Sequence, residues 1–284
     1  MPAARLCPCP DEPQLDCARQ LISGRSVKTF QSKTAQGAIR FHDIPGPEDE
    51  PPLLFVHGLG CASSCDYPTV AANPALSGRR LLLIDLPGSG FSDHPADFGY
   101  GITDHAQTIV EFIRGSKLES VDLFGHSMGG AVAIKVAHLL ADRVRHLVLS
   151  EPNLDSGGGF FSRKIAEMSE ADYLAHGHAD LIRTCLTDGN DIWGASLSIS
   201  SPYAVHRSAS SLVLGDFPTW REQLYQLPMP TTVIFGENSL PDPDWETLPK
   251  HGINVEMVDQ AGHSMAWENP QTLAAAIKRG LTLQ

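Results

Sequence analysis

The sequence predicts an α/β fold in which a mostly parallel central sheet is flanked by helices and interrupted by an inserted helical cap. Short apolar runs such as Leu53–Val56 and Leu81–Ile84 show no alternation with polar residues, which is typical of strands buried on both faces of a parallel sheet. Stretches with helical periodicity separate these runs. The alternation stops between residues 155 and 227, where helical patterns such as 179–186 replace it.

Each predicted element follows from its local pattern. Two strands flank a turn at Gln36-Gly37, and a helix begins near Thr103 or Asp104, either of which suits the N-cap position. The stretch that starts at Ser127 is apolar on nearly every face, so we predict a buried helix there. The predicted strands are 26–33, 38–44, 53–56, 81–84, 121–124, 147–150, 231–235 and 254–258, and the main helices are 103–114, 127–140, 245–251 and 270–281.

The domain organisation follows from where the strand rhythm breaks. Residues 26–154 and 228–284 are predicted to form the α/β core, and residues 155–227 an inserted helical lid. The insertion opens with a run of three glycines at 157–159 and ends at Pro228. Because long insertions usually carry a role, we expect a lid over the functional site; a plain helical connection is the alternative. Residues 1–25 are predicted to be a loose N-terminal lead.

Composition excludes several classes of protein. Among 284 residues, 42% are hydrophobic and 19% charged, which excludes a disordered or fibrous chain. The net charge of −12 argues against a nucleic-acid partner and against an anionic membrane surface. No signal-peptide pattern or apolar run of membrane-spanning length is visible, so we expect a cytoplasmic protein, monomeric or homodimeric.

The cysteines do not form a metal-binding pattern. Cys7, Cys9 and Cys17 lie in the N-terminal lead, and no second Cys/His pair follows them at ligand spacing. In a cytoplasmic protein all six cysteines should be reduced. We therefore expect no metal site and no disulfide framework.

The motif that carries chemistry is Gly125-His126-Ser127-Met128-Gly129. Such a G-x-S-x-G string is weak evidence alone, but here it follows a predicted strand and opens a predicted helix. That setting is the one in which a serine stands exposed on a sharp, strained turn, with the free N–H groups of a helix N-terminus beneath it. A serine that merely caps the helix is the alternative.

Three further segments, together with the serine motif, match a pattern known from one superfamily. His57-Gly58-Leu59-Gly60 follows a predicted strand, residues 85–92 read DLPGSGFS, and Ala261-Gly262-His263-Ser264 precedes Glu268-Asn269-Pro270. Together with the serine motif they resemble the α/β-hydrolase superfamily, from about Val27 to the C-terminus. The N-terminal lead and most of the insertion are not matched.

The resemblance implies a role for each matched residue. Ser127 would be the nucleophile and His263 its general base, because a serine hydroxyl needs a base to become nucleophilic. His126 is adjacent to the serine in a fixed turn, and His57 is expected to stabilise its own loop. The oxyanion hole would consist of the backbone N–H groups of Leu59 and Met128, and no cofactor is implied.

The triad acid is the point at which the chain departs from the common pattern. The position that usually carries it, after the strand 231–235, holds Ser239. Asp242 follows in a proline-rich stretch, whereas Glu151 ends the strand after the nucleophile helix, where a minority of the superfamily carries its acid. We favour Glu151, since a charged residue at the end of a buried strand needs a partner; Asp242 remains the alternative.

The implied activity is that of a serine carboxylesterase acting on small to medium apolar esters through an acyl-enzyme. A lactonase, amidase, C–C bond hydrolase or acyltransferase would use the same triad, and a non-catalytic ligand receptor is possible on the same fold. Lid aromatic residues could line the substrate pocket or form the interior of the lid; they are Phe160, Phe161, Trp193, Tyr203 and Trp220.

Overall fold

The computed structural model describes residues 27–283. The expectations for the N-terminal lead, including Cys7, Cys9 and Cys17, therefore lie outside the described residues. The eight strands are β1 (Lys28–Ser32), β2 (Gly37–Ile44), β3 (Leu53–Val56), β4 (Leu81–Ile84), β5 (Val121–His126), β6 (Val144–Ser150), β7 (Thr231–Gly236) and β8 (Asn254–Val258).

These strands form one mixed sheet in the order β1-β2-β4-β3-β5-β6-β7-β8. Strands β1 and β2 run antiparallel to their neighbours, while β3 to β8 pair in parallel. The predicted α/β fold with a mostly parallel sheet is thus confirmed.

Helices cover both faces of the sheet and build the insertion. In chain order they are α1 (Ser63–Asp66), α2 (Pro68–Ala71), α3 (Ile102–Gly115), α4 (Met128–Leu139), α5 (Phe160–Ala166), α6 (Glu170–Asp172), α7 (His178–Thr187), α8 (Asp191–Ser198), α9 (Pro202–Leu214), α10 (Trp220–Tyr225), α11 (Pro243–Thr247), α12 (Met265–Glu268) and α13 (Pro270–Gly280). A π-helical turn, Tyr173–Gly177, joins α6 to α7.

Two local predictions differ from the structure. The N-cap of α3 is Gly101, not Thr103 or Asp104, because the Asp104 carboxylate reaches back to accept a hydrogen bond from the Gly101 N–H at 3.0 Å. The helix expected over 245–251 is divided into α11 and the tighter turn Leu248–His251. Pro249 lacks the N–H that a continuous helix would use there.

The two faces of the sheet bury separate apolar layers. Side chains along a strand alternate between faces, so Leu54 and Val56 pack in the layer that contains α3 and α4. Leu53 and Phe55 pack in the opposite layer with α13. Strands β3 and β4 are fully buried, which explains why their sequences are continuously apolar.

The insertion has an apolar centre of its own. Its cluster is formed by Ile165, Tyr173, Cys185, Trp193, Leu197, Val205 and Ala209, and Cys61 of the core joins it. Arg221 joins the two ends of the insertion to each other through Asp155 at 2.6 Å, and to the core through Asp244 at 2.7 Å.

Membrane-spanning helices and metal-binding clusters are both absent from the part of the chain that the structure describes. Within residues 27–283, no helix has both the length and the apolar character needed to cross a bilayer. In the same range, no cluster of three or more histidine, cysteine or acidic side chains is arranged to hold a metal ion.

A buried carboxyl group lies at the end of α1. Asp66 is 4% exposed, and its Oδ1 atom has no hydrogen-bond partner among residues 27–283. The same is true of the Tyr67 hydroxyl and the Trp267 indole N–H, and all three residues line a cavity of about 20 Å³. Burial raises the pKa of Asp66 from 3.8 to about 7, so the carboxyl group holds its proton far above the usual range.

This buried acid predicts a specific pH dependence of stability. Between pH 4 and 7 the folded state retains a proton at Asp66 that the unfolded chain releases, so rising pH destabilises the fold through this window. A shift from 3.8 to about 7 corresponds to roughly 4 kcal/mol. We expect urea titrations to show the stability of the wild type falling by that order relative to Asp66→Asn as the pH rises from 4 to 7.

Asp97→Asn is the matched control for this experiment, because Asp97 is exposed. Its pH profile should parallel that of the wild type. Parallel profiles for Asp66→Asn and the wild type would contradict the assignment of a retained proton to Asp66.

Candidate active site

Ser127 occupies the turn between β5 and α4 in a strained conformation. Its φ of 53° and ψ of −119° lie in a region that non-glycine residues rarely adopt. Two of its backbone hydrogen bonds connect the turn to β6 and the loop after it: the Ser127 N–H donates to the Ser150 carbonyl at 2.9 Å, and the Asn153 N–H donates to the Ser127 carbonyl at 3.3 Å. The strained conformation is therefore held partly by the end of β6 and the loop that follows it.

Gly129 allows the nucleophile helix to approach the neighbouring strand. A Cβ atom at this position would lie 2.3 Å from the Val56 carbonyl oxygen and 2.5 Å from that of His57. Any side chain would push α4 away from the end of β3. The second glycine of the G-x-S-x-G motif is thus required by close packing of backbone against backbone.

His263 and Glu151 form a short hydrogen bond at the same edge of the sheet. The His263 Nδ1 atom lies 2.6 Å from Glu151 Oε2. The two residues are 112 positions apart in the chain, and His263 follows β8 whereas Glu151 directly follows β6. The histidine side chain is 54% exposed and the glutamate side chain 13% exposed.

The backbone around Glu151 fixes the position of its carboxylate. Its N–H donates to the Ile234 carbonyl at 3.0 Å, and its Oε1 accepts a hydrogen bond from the Gly236 N–H at 2.9 Å. Its φ is 39°, a left-handed value that is strained for glutamate. Burial acts to raise the pKa of Glu151, but the hydrogen bond and charge of His263 outweigh it, so the pKa lies below its usual value.

The ionisation of Glu151 determines the histidine tautomer. An ionised carboxylate can only accept hydrogen bonds. The proton in the short contact therefore resides on His263 Nδ1, and in a neutral imidazole Nε2 carries a free lone pair.

Ser127 and His263 line the same cavity, but they do not hydrogen-bond to each other in the part of the chain that the structure describes. Such contacts commonly tighten only when substrate is bound. The arrangement brings the serine, the histidine and Glu151 together at one site. It does not bring Asp242 there: this residue caps α11 and accepts a hydrogen bond from the Asp244 N–H at 2.8 Å.

Ser239 lies near Glu151. It ends the turn Glu237–Ser239 after β7, at the position where the superfamily usually carries its acid. Its hydroxyl group is among the hydrogen-bonding groups that lower the pKa of Glu151. The sequence showed that Ser239 stands where an acid is usual, but it did not show that this residue lies near Glu151.

The loop 57–60 is held by a buried histidine. His57 is fully buried; its Nδ1 bonds to the Gly58 carbonyl at 2.9 Å and its Nε2 accepts the Leu86 N–H at 3.0 Å. Burial lowers the pKa of His57, which keeps the ring neutral and able to accept. Neither Leu59 nor Met128 has a hydrogen-bond partner for its N–H among residues 27–283.

His126 lies beside His263, with ring centroids 4.7 Å apart. Its Nδ1 faces the Ser150 carbonyl at 3.1 Å. Burial, and then the neighbouring His263, lower the pKa of His126 to about 3. The ring is therefore neutral and adds no positive charge next to the His263–Glu151 pair.

The cavity at this site has a volume of about 360 Å³. Its walls combine residues of the core loops with residues of the insertion, and most of the surface that they present to the cavity is apolar. The lining residues other than Ser127, Glu151 and His263 are Gly58, Leu59, Cys61, His126, Asn153, Gly159, Phe160, Phe161, Ser162, Asn190, Trp193, Leu212, Ser264 and Trp267.

The aromatic residues expected at the pocket divide into two groups. Phe160, Phe161 and Trp193 line the cavity, whereas Tyr203 and Trp220 do not. Tyr203 donates to the His94 carbonyl, and Trp220 is buried in the main core. Met128 is likewise absent from the cavity walls, because its side chain points into the core.

Several residues that line the cavity were not identified from the sequence. Trp267 lies four residues after His263, so its closeness in the chain was an available signal. Asn153, two residues after Glu151, could have been found in the same way. Asn190 and Leu212 carried no local signal, because only the path of the insertion brings them to the site.

Comparisons with known proteins identify the family of this chain. A family model described as alpha/beta hydrolase fold matches residues 51–270. The chain is 34% identical over 102 residues to a 2-hydroxymuconate semialdehyde hydrolase of Pseudomonas sp., covering 34% of this chain and 35% of that protein. It is 24% identical over 257 residues to an esterase of Mycobacterium tuberculosis, covering 80% and 82%. The chain spans less than half the length of the curated relatives to which it is 29–37% identical.

Among solved structures, the esterase EaEST of Exiguobacterium antarcticum superposes with a TM-score of 0.75 at 20% identity, covering 91% of this chain and 100% of that chain. At that identity the likeness shows the shared fold. With the family model matching most of the chain, and the strand–serine–helix turn and mixed sheet as described, the protein belongs to the α/β-hydrolase family.

Proposed function

We propose that this protein is a serine carboxylesterase that hydrolyses esters of small to medium apolar substrates through an acyl-enzyme. The observation that carries the proposal is the 2.6 Å hydrogen bond between His263 and Glu151 at the rim of a cavity that also contains Ser127. The esterases among the family relatives support the choice of reaction.

Acylation begins when Ser127 Oγ attacks the carbonyl carbon of the ester. His263 Nε2 takes the hydroxyl proton, and Glu151 stabilises the imidazolium that forms. The negative charge that develops on the carbonyl oxygen is stabilised by the free N–H groups of Leu59 and Met128. Removing one such donor typically costs about 2.7–4 kcal/mol of transition-state stabilisation.

The acyl-enzyme forms when His263 returns the proton to the departing alcohol. Water then attacks the ester carbonyl of acylated Ser127, again assisted by His263 as a general base, and the carboxylic acid leaves. No step needs a cofactor, because each proton moves between the serine, the histidine, the alcohol and water.

The walls of the cavity support an apolar, uncharged substrate. In the described part of the chain, Glu151 is the one acidic residue that lines the cavity, and no lysine or arginine lines it. Phe160, Phe161 and Trp193 of the insertion provide an aromatic wall for the cavity that Ser127 also lines. We therefore propose that residues 155–227 act as a lid that selects the acyl group.

The first expected result concerns the nucleophile. A fluorophosphonate probe should label the protein at one site, because it reacts with an activated serine, and intact-mass measurement should show a single adduct. Ser127→Ala should abolish both labelling and hydrolysis of p-nitrophenyl esters. Labelling that persists in Ser127→Ala would rule out the serine-hydrolase proposal, and turnover of lactones or amides above esters would change the substrate class.

A second experiment separates the two candidate acids. Glu151→Gln keeps the shape of the side chain but cannot stabilise an imidazolium by charge, and the equivalent change in a triad can cost about 10⁴-fold in turnover. We expect kcat of Glu151→Gln for p-nitrophenyl butyrate to fall by at least about 10²-fold.

Asp242→Asn is the matched control for this loss of a carboxylate. Asp242 caps a short helix and does not line the cavity. The kcat of Asp242→Asn should therefore stay within a factor of about two of the wild-type value. The reverse ranking of the two variants would reject Glu151 as the acid.

The lid predicts a change in acyl preference. Phe161→Ala removes a partly exposed ring from the cavity wall, a loss of about 1 kcal/mol of apolar contact for a substrate that reaches it. We expect kcat/KM to fall about fivefold for a hexanoyl ester and to stay unchanged for an acetyl ester. Phe217→Ala, at a side chain that is 93% exposed and outside the cavity, should change neither value. Equal losses for both esters with Phe161→Ala would contradict acyl selection by the lid.

A further inference from the structure

One hydrogen bond joins the insertion to the loop that carries the proposed oxyanion donor. Trp193 lies on α8, and its indole N–H donates to the Leu59 carbonyl at 2.9 Å. The residue is 6% exposed. The bond spans 134 positions of the chain, so the contact exists only when the insertion is docked on the core.

The two peptide planes on either side of the Leu59 Cα atom have different anchors. The Leu59 N–H shares a planar trans peptide with the Gly58 carbonyl and points the opposite way. His57 and the Cys61 N–H both bond to that carbonyl, at 2.9 and 3.3 Å. The next plane contains the Leu59 carbonyl, for which Trp193 is the partner.

The loop packs closely against side chains of α8, and a side chain at Gly60 would prevent this approach. Gly60 has a φ of 65°, and a Cβ atom there would lie 2.5 Å from a methyl group of Leu197 and 3.3 Å from the Trp193 indole nitrogen. The core alone therefore anchors the plane that contains the Leu59 N–H. The insertion covers the loop and anchors the plane that contains the Leu59 carbonyl.

Trp193 also contacts the space proposed for the acyl group. Its ring packs against Phe161 with centroids 4.5 Å apart, and both residues line the cavity. A substrate in the cavity would touch the same indole that bonds to the oxyanion loop.

We propose that Trp193 is a positioning residue: its hydrogen bond fixes the peptide plane of the Leu59 carbonyl, which adjoins the plane of the Leu59 N–H at the Leu59 Cα atom. It thereby restricts the rotation that would turn this N–H away from the oxyanion. The inference rests on the proposed function and deepens it. It makes the docked lid a part of the oxyanion hole, in addition to a wall for the acyl group.

Trp193→Phe tests this directly, because it removes the N–H donor and keeps an aromatic ring. One neutral hydrogen bond contributes about 0.5–1.5 kcal/mol, so we expect kcat to fall about three- to tenfold for acetyl and hexanoyl esters alike, with KM within about twofold. The rate of fluorophosphonate labelling should fall in parallel.

Trp220→Phe is the matched control. Trp220 is equally buried, but its indole N–H has no partner within residues 27–283 and it lies outside the cavity. This variant should keep the kcat of the wild type. It separates loss of the hydrogen bond from the general effect of shrinking a buried tryptophan.

Hydrogen exchange supplies a readout that does not need turnover. The Cys61 N–H reports the order of the loop, since it donates to the Gly58 carbonyl. We expect its exchange to be at least about tenfold faster in Trp193→Phe than in the wild type and in Trp220→Phe.

The outcomes distinguish the two proposals. An unchanged kcat in Trp193→Phe, or unchanged exchange at Cys61, overturns the positioning role of Trp193. A wild type that neither hydrolyses esters nor reacts with the probe overturns the proposed function, and the exchange experiment then still decides whether Trp193 orders the loop.

Discussion

The register of the parallel strands is the constraint on which the site depends. Val56 pairs with Gly125, His126 with Ser150, and Ser150 with Ile234. Because parallel strands end at the same edge of a sheet, the loops after β3, β5, β6 and β7 meet there. Shifting one of these strands by two residues would move its loop by roughly 7 Å. The serine, the glutamate and the loop 57–60 are therefore positioned by backbone pairing before any of their side chains interact.

The main electrostatic interaction at this edge of the sheet is the one between His263 and Glu151. Burial disfavours charge on His57 and His126, and it lowers the pKa of each ring. Glu151 is also partly buried, yet its charge is stabilised by His263 and by the Gly236 N–H. Breaking that pair would leave a buried carboxylate without its main partner, which is costly in a region of low dielectric constant. The fold thus keeps His57 and His126 neutral beside the ionised carboxylate of Glu151.

The insertion is joined to the core by several kinds of contact. Arg221 pairs with Asp155 and Asp244 near its ends, and Lys135 of α4 pairs with Asp216. Its apolar centre continues into the core through Cys61. Exposed ion pairs contribute little stability individually, so the apolar contacts and the Trp193–Leu59 hydrogen bond set how closely α8 approaches the loop 57–60. The geometry of the cavity is consequently a joint property of two parts of the chain that are distant in sequence.

The sequence alone determined the features that arise from local patterns. Continuous apolar runs predicted the parallel sheet, and the glycines around Ser127 predicted a sharp turn between strand and helix, because both depend on residues within a few positions. Local chemistry misled at the start of α3, where the Asp104 carboxylate accepts from the Gly101 N–H instead of occupying the N-cap. Only the tertiary structure decided that Glu151, and not Asp242, contacts His263, and that Trp193 reaches Leu59. These contacts join residues more than 100 positions apart, and strand order and the path of the insertion, which no local pattern encodes, bring them together.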